Sequence, residues 1–170
     1  MLYALCVCLA GERRMRKRER EIRDKETVNA LLERSLVGHI ATVNKKGFPV
    51  IKPVNFVYWN GKVYIHSSRK GEKIEDIRRE GRVCFEVDDP VAYVVTQGPS
   101  CAASYYYRSI IGKGRAKLVK SEKEKLEILE RLMRKYQPEG GYGEIRGEIL
   151  KKTAVIEVSM ERITGKEKLG

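Results

Sequence analysis

The sequence predicts a mainly β fold, an antiparallel barrel with peripheral helices, on three observations. Hairpin signals crowd the middle of the chain, and Asn60-Gly61 is the strongest, because both residues accept the positive φ of a type I′ turn. The strand predicted over 48–59 is long and apolar on both faces apart from Lys52 and Asn55. A second long strand, over 105–119, carries Gly112 and Gly114 in its interior, where a barrel strand bends. These features oppose a doubly wound parallel sheet.

The elements follow in order. Asp24 is a suitable N-cap for a helix through Val28, Leu31, Leu32 and Leu36, with Gly38 as its stop. A strand is expected over 39–43, a turn at Asn44-Lys45-Lys46-Gly47, the long strand over 48–59, and its hairpin partner over 62–67. A short helix over 71–80 turns Ile74 and Ile77 inward. Val83, Phe85 and Val87 alternate along a strand over 82–87, which Asp88-Asp89-Pro90 breaks before a weaker strand over 91–96. Ser121 caps a helix striped by Leu126, Leu129, Leu132 and Met133 that ends before Pro138. Gly140-Gly141-Tyr142-Gly143 is a flexible connection, and the last strand covers 153–163. The sum is six or seven strands and three helices.

Composition narrows the function. The chain has 170 residues, 42% hydrophobic and 34% charged, which suits one globular domain with its own core. Residues 15–170 are expected to form it, with 1–14 as an extension. Its apolar stretch Leu2–Ala10 is shorter than the ~18–20 residues of a membrane span. Basic residues follow this stretch instead of preceding it, so it does not read as a secretory signal, and the expected compartment is the cytoplasm. Four cysteines without a C-x-x-C pair and two histidines offer no structural zinc site, and no metal is expected. The net charge of +12 suits anionic ligands, but opposite charges interleave almost everywhere, as on a solvated surface. No Walker A loop and no Gly-x-Ser-x-Gly elbow is present.

One stretch carries chemistry. His66-Ser67-Ser68-Arg69-Lys70-Gly71-Glu72-Lys73 spans a strand end and a helix start. A helix N-terminus offers free N–H groups and a positive dipole end, which favour phosphate, and two hydroxyls and three cations surround that point. The same residues also fit an N-cap serine and a solvated basic turn, and the two readings weigh evenly. Tyr105-Tyr106-Tyr107-Arg108-Ser109 could line a planar anionic ligand, although on these residues alone ordinary strand packing with a surface Arg is the favoured reading.

A resemblance adds to this. The run Val63-Tyr64-Ile65-His66-Ser67-Ser68-Arg69-Lys70-Gly71-Glu72-Lys73, followed by Ile77-Arg78-Arg79 and Arg82-Val83-Cys84-Phe85-Glu86-Val87, resembles the pyridoxamine 5′-phosphate oxidase-like flavoproteins, nearest the nitroimidazole-resistance branch. Val37 to Val43, Pro53 to Tyr58, Tyr107 to Ile111 with Gly114, and Ile163-Thr164-Gly165-Lys166 extend it from Met15 to about Lys166. The resemblance implies a split β-barrel that binds FMN at a homodimer interface. Pro53, Val54 and Asn55 would lie against the flavin ring. Ser67 and Ser68 would meet the phosphate or ribityl chain, and Lys73, helped by Arg69 and Lys70, would neutralise the phosphate. Arg108 and Ser109 match a strand that reaches the cofactor in relatives, and His66 would sit near the flavin as a tentative catalytic proton donor or as a hydrogen-bonding residue. The implied activity passes electrons from a reduced nicotinamide through FMN to a small acceptor. The chain's end lacks the Arg-x-x-Arg-Leu-x-Pro-like segment that holds the vitamin substrate in authentic oxidases, which speaks against that particular activity. A non-catalytic flavin carrier or sensor is the alternative, and a basic nucleic-acid-binding barrel is a third and weaker one.

Overall fold

A computed structural model describes residues 15–170; the expected 1–14 extension lies outside the described residues. Eight antiparallel strands and four helices follow one another as β1 (Glu21–Ile22), α1 (Lys25–Arg34), β2 (Gly38–Val43), β3 (Pro49–Val54), β4 (Phe56–Trp59), β5 (Lys62–Ser68), α2 (Glu72–Arg79), β6 (Arg82–Val94), β7 (Ser104–Leu118), α3 (Glu122–Tyr136), α4 (Gly147–Lys152) and β8 (Thr153–Lys168). The strand order is β3-β2-β6-β7-β8-β5-β4, with β1 added to β8. The mainly β expectation holds.

The expected single strand over 48–59 is two strands, and their placement defines the fold. β3 and β4 lie at opposite ends of the strand order, yet Asn55 alone separates them in sequence. The sheet therefore curls until its ends meet without pairing, and the barrel stays split. A ring contact spans the interior: Phe56 of β4 packs edge-on against Phe85 of β6, with centroids 4.9 Å apart. Gly38 is required there, since a Cβ on it would stand 2.3 Å from the Phe85 ring. The two-faced apolar reading fails for the first half of that strand. Along β3, Ile51 and Pro53 face outward and are exposed; Phe48, just before it, is exposed too.

Three further differences have local causes. Asp88-Asp89-Pro90 does not end its strand; β6 continues to Val94 through a bulge between Pro90 and Ala92, where a missing N–H is tolerated. α1 stops at Arg34, where Ser35 turns to an extended backbone while its amide and hydroxyl still bond the Leu31 carbonyl, and Leu36 is left exposed. β8 runs to Lys168, and the short α4 and two-residue β1 were not expected. The Asp24 cap, the Ser121 cap and the Asn60-Gly61 turn, with φ of 49° and 74°, form as the sequence predicts.

Two apolar clusters hold the fold. Leu31, Leu32, Ile40, Phe56, Ile65 and Phe85 fill the barrel with their neighbours. Val57, Tyr64 and Val155 turn outward from β4, β5 and β8 and are covered by Ile128, Leu129 and Leu132 of α3. That sheet region is thus buried on both faces, and α3 is fixed beside the end of β5. Among the described residues, no helix is long and apolar enough to cross a membrane.

Candidate functional site

β5 ends at Ser68, opposite Thr153 of β8, and the chain turns into α2 through Gly71. Gly71 has φ of 112°, a conformation that favours glycine, and it caps α2 without a side-chain bond, leaving the helix end open. The basic residues around this point differ in how committed they are. Arg69 Nη1 donates to the Lys151 carbonyl at 2.7 Å. Lys52, from β3, pairs with Glu72 at 2.9 Å. The Lys70 amide donates to Ser68 Oγ at 3.3 Å. Lys73 is half-buried and has no acidic partner among the described residues; burial, then the Lys52 charge, pushes its ammonium below the ordinary lysine range.

His66 stands beside this cation. Burial of part of its ring, then the Lys73 charge, pushes its pKa below the ordinary value of 6.5. Its imidazole is consequently neutral at neutral pH and offers one N–H and one lone pair. His66 and Asn55 both border a largely apolar groove of about 440 Å³, walled by Leu132, Met133 and Tyr136 of α3 and by Ile145 and Ile149. The Tyr136 hydroxyl accepts from the Phe56 amide at 2.8 Å and donates to the Leu36 carbonyl at 2.7 Å, which anchors this wall to β4. One chain therefore gathers Asn55, His66, Ser67, Ser68 and Lys73 where β4, β5 and α2 begin or end, with Val54 buried and Pro53 exposed next to them.

Arg108 and Ser109 are not in that gathering. They pair with Glu167 and Lys166 of β8, whereas Ser67 pairs with Ala154, so roughly 40 Å of strand path at ~3.3 Å per residue lies between them. As neighbours on a strand they also face opposite sides. Arg108 pairs with Glu167 at 3.1 Å. Ser109 lies on the sheet's outer face, on the same side as Asp88, Glu86, His39 and Pro53, by the cross-strand register.

A match to the family pyridoxamine 5′-phosphate oxidase covers residues 24–167. The chain belongs to the pyridoxamine 5′-phosphate oxidase family. Solved structures agree with this family fold. A protein named as a candidate 5-nitroimidazole antibiotic resistance protein, from Bacteroides thetaiotaomicron, is 25% identical over 86% of this chain and 85% of its own, with a TM-score of 0.76. A flavocytochrome from Azotobacter vinelandii superposes with a TM-score of 0.81 at 23% identity, over 92% of this chain and 72% of its own. An FAD-binding protein from Mesorhizobium loti gives 0.64 at 22% identity, over 88% and 98%. No curated protein matches the sequence.

Two parts of this family member's surface escaped the sequence reading. The wall over His66 comes from α3, from the Gly140–Gly143 connection and from α4; the connection read only as a flexible link. His39, Glu86 and Asp88 also converge, with ligand-type atoms within 4.8 Å of one another. His39 Nδ1 lies 3.2 Å from Glu86 Oε2, and burial, then Asp88, pushes the Glu86 carboxyl up against the lowering effect of His39. A hairpin reading of β2 and β6 would not pair them, because β3, β4, β5 and α2 intervene in sequence.

Proposed function

We propose that this chain is an FMN-dependent oxidoreductase, acting as a homodimer on a small electron donor and a small acceptor. The carrying observation is Lys73: a half-buried ammonium with no acidic partner among the described residues, in the first turn of α2 behind an open helix end that follows Ser67 and Ser68 in the chain. An unpaired buried cation is costly, and a phosphate monoester supplies its missing partner. Flavin and haem names among the structural neighbours support a redox cofactor of this kind.

Bound FMN would supply hydride chemistry at its ring, taking two electrons from a reduced nicotinamide and passing them to an acceptor. The chain's own work is placement. Lys73, Ser67 and Ser68 would hold the phosphate end. Pro53, Val54 and Asn55 would present backbone groups to the ring heteroatoms. His66, neutral and at the border of the groove, would hold one hydrogen bond at the acceptor side. The apolar wall of α3 would exclude water from the groove. Exposed Phe48, Ile51 and Pro53 favour a partner subunit against β3, because large apolar patches are uncommon on monomers. In that dimer the partner's strand would bring the second set of residues, Arg108 and Ser109, to the cofactor.

The test is to load the purified protein with FMN or FAD, desalt it, and record the visible spectrum and the rate of reduced-nicotinamide oxidation. FMN retained with turnover supports the proposal. FMN retained without turnover with any nicotinamide leaves a carrier or sensor in its place, and a colourless protein overturns the flavin reading altogether.

A further inference from the structure

The groove beside His66 is set apart by its chemistry. Charged residues make up 34% of the chain, yet among the described residues none that lines this groove is charged. The contrast is local. Two neighbouring cavities also border α3; Glu130, Arg134 and Arg146 line one, and Glu33, Arg131 and Lys135 line the other. Lys73 is close enough for its charge to act on His66, but it does not line the groove.

The lining divides into two kinds. Leu129, Leu132 and Met133 of α3, with Ile145 and Ile149, present apolar side chains. Tyr136 presents its ring alone, because its hydroxyl is taken by the Phe56 amide and the Leu36 carbonyl. Asn55, His66 and Thr153 are polar and sit where strands begin or end. Thr153 pairs with Ser68, two residues on from His66, so Thr153 and His66 share a face of the sheet. The groove thus has a polar but uncharged floor under apolar walls. Tyr142 and Ile149, at 36% and 47% exposure, leave apolar surface in water at its border. Its volume of about 440 Å³ falls within the roughly 300–1,000 Å³ of small-molecule sites. An ion entering it gives up water and meets no opposite charge, which is costly. An uncharged ring gives up little and covers the exposed apolar surface.

We infer that this groove receives the electron acceptor, and that the acceptor is an uncharged, apolar ring compound with a polar oxygen directed at Asn55, His66 and Thr153. Its role as acceptor rests on the flavin reading above; the preference for an uncharged ring rests on the groove alone. For a quinone the balance closes. Reduced nicotinamide yields a hydride, which is two electrons and one proton, solvent yields a second proton, and the product is the hydroquinone.

A matched pair of fluorescent probes tests the preference without turnover: uncharged 1-anilinonaphthalene, and 8-anilinonaphthalene-1-sulfonate, which adds one negative charge. The net charge of +12 by itself favours the sulfonate. The groove reverses that order: in FMN-loaded protein the uncharged probe should bind at least about tenfold more tightly. Ile149→Lys puts a cation at the groove border on a side chain that is already exposed, so the fold tolerates it. It should shift the ratio of the two affinities at least about tenfold toward the sulfonate. Val95→Lys makes the same charge change on an exposed side chain outside the groove and should leave the ratio unchanged. Duroquinone should displace the uncharged probe, and the probe should inhibit reduced-nicotinamide oxidation competitively with duroquinone.

Equal or tighter binding of the sulfonate, a ratio that Ile149→Lys does not move, or an equal shift in both lysine variants overturns the inference. Loss of the uncharged probe as FMN is loaded also overturns it, because the flavin ring would then fill the groove. Binding of the uncharged probe in a protein that retains FMN but oxidises no nicotinamide overturns the oxidoreductase reading instead, and with it the acceptor role.

Discussion

Replacing Lys73 with Ala tests the phosphate site most directly. Of the other cations near the start of α2, Lys52 is engaged with Glu72 and Arg69 with the Lys151 carbonyl, while Lys70 is exposed to solvent. Lys73 has no such partner among the described residues and is half-buried, so a phosphate oxygen would meet it with little competition from water. Removing one such charge-assisted bond costs roughly 1.5–3 kcal/mol. FMN affinity should fall about ten- to a hundredfold. Alanine favours helix and the variant loses a desolvated charge, so the flavin-free fold should not weaken. Flavin fluorescence quenching gives both constants, with riboflavin as the internal control because it lacks the phosphate. Its affinity should change less than about threefold, well short of the tenfold that 1.4 kcal/mol represents. Equal losses for FMN and riboflavin would mean that Lys73 acts through folding, and no loss for FMN would remove it from the phosphate site; either result refutes the reasoning.

Three other outcomes are expected. In the flavin-free protein the His66 ring should titrate below 6.5 by NMR, and FMN phosphate, by offsetting Lys73, should raise the midpoint. Since the unfolded chain then binds the His66 proton more readily, flavin-free stability should rise with pH between the folded midpoint and 6.5, and a folded midpoint at or above 6.5 would count against this placement. Ile51→Glu should raise the dimer dissociation constant at least about tenfold in sedimentation, because a two-fold interface buries the new charge twice; an unchanged dimer would move the interface off β3. Gly114→Ala should cost about 1–3 kcal/mol in urea unfolding and Gly112→Ala clearly less: the added Cβ meets the Ser159 carbonyl oxygen at 2.0 Å in the first case and the movable Met160 side chain at 2.1 Å in the second.

Local signals were readable and long-range ones were not. Asp24 and Ser121 declared their helices, because each cap is satisfied within three residues. Asn60-Gly61 declared its hairpin for the same reason. The basic run at 66–73 could be placed at a strand-to-helix junction, and the structure has that junction, with β5 ending at Ser68 and α2 starting at Glu72. What stayed hidden depends on partners distant in sequence. The continuation of β6 through Pro90 rests on its ladder with β7, and no signal within the Asp88-Asp89-Pro90 tripeptide reports that ladder. The freedom of Lys73 could not be read either, since it depends on Lys52 taking Glu72 across 20 residues of chain.

The break at Asn55 ties these points together. As one continuous strand, residues 48–59 would hold a single position in the sheet. With the break, β3 and β4 end opposite edges, and Asn55 sits in the gap between them. A split barrel therefore brings two strand ends next to the β5–α2 junction, in one place. Among the described residues, the same break leaves β3 unpaired on its outer edge, with Ile51 and Pro53 exposed. An exposed edge with apolar side chains is a liability unless something covers it. Arg108 and Ser109 cannot close the site within their own chain, being far along β8 from Ser67. If a second copy covers β3, the edge is protected and a second set of cofactor contacts arrives in the same step. Cofactor binding and dimerisation should then be linked, so Ile51→Glu should weaken FMN binding without touching any residue proposed to hold the phosphate.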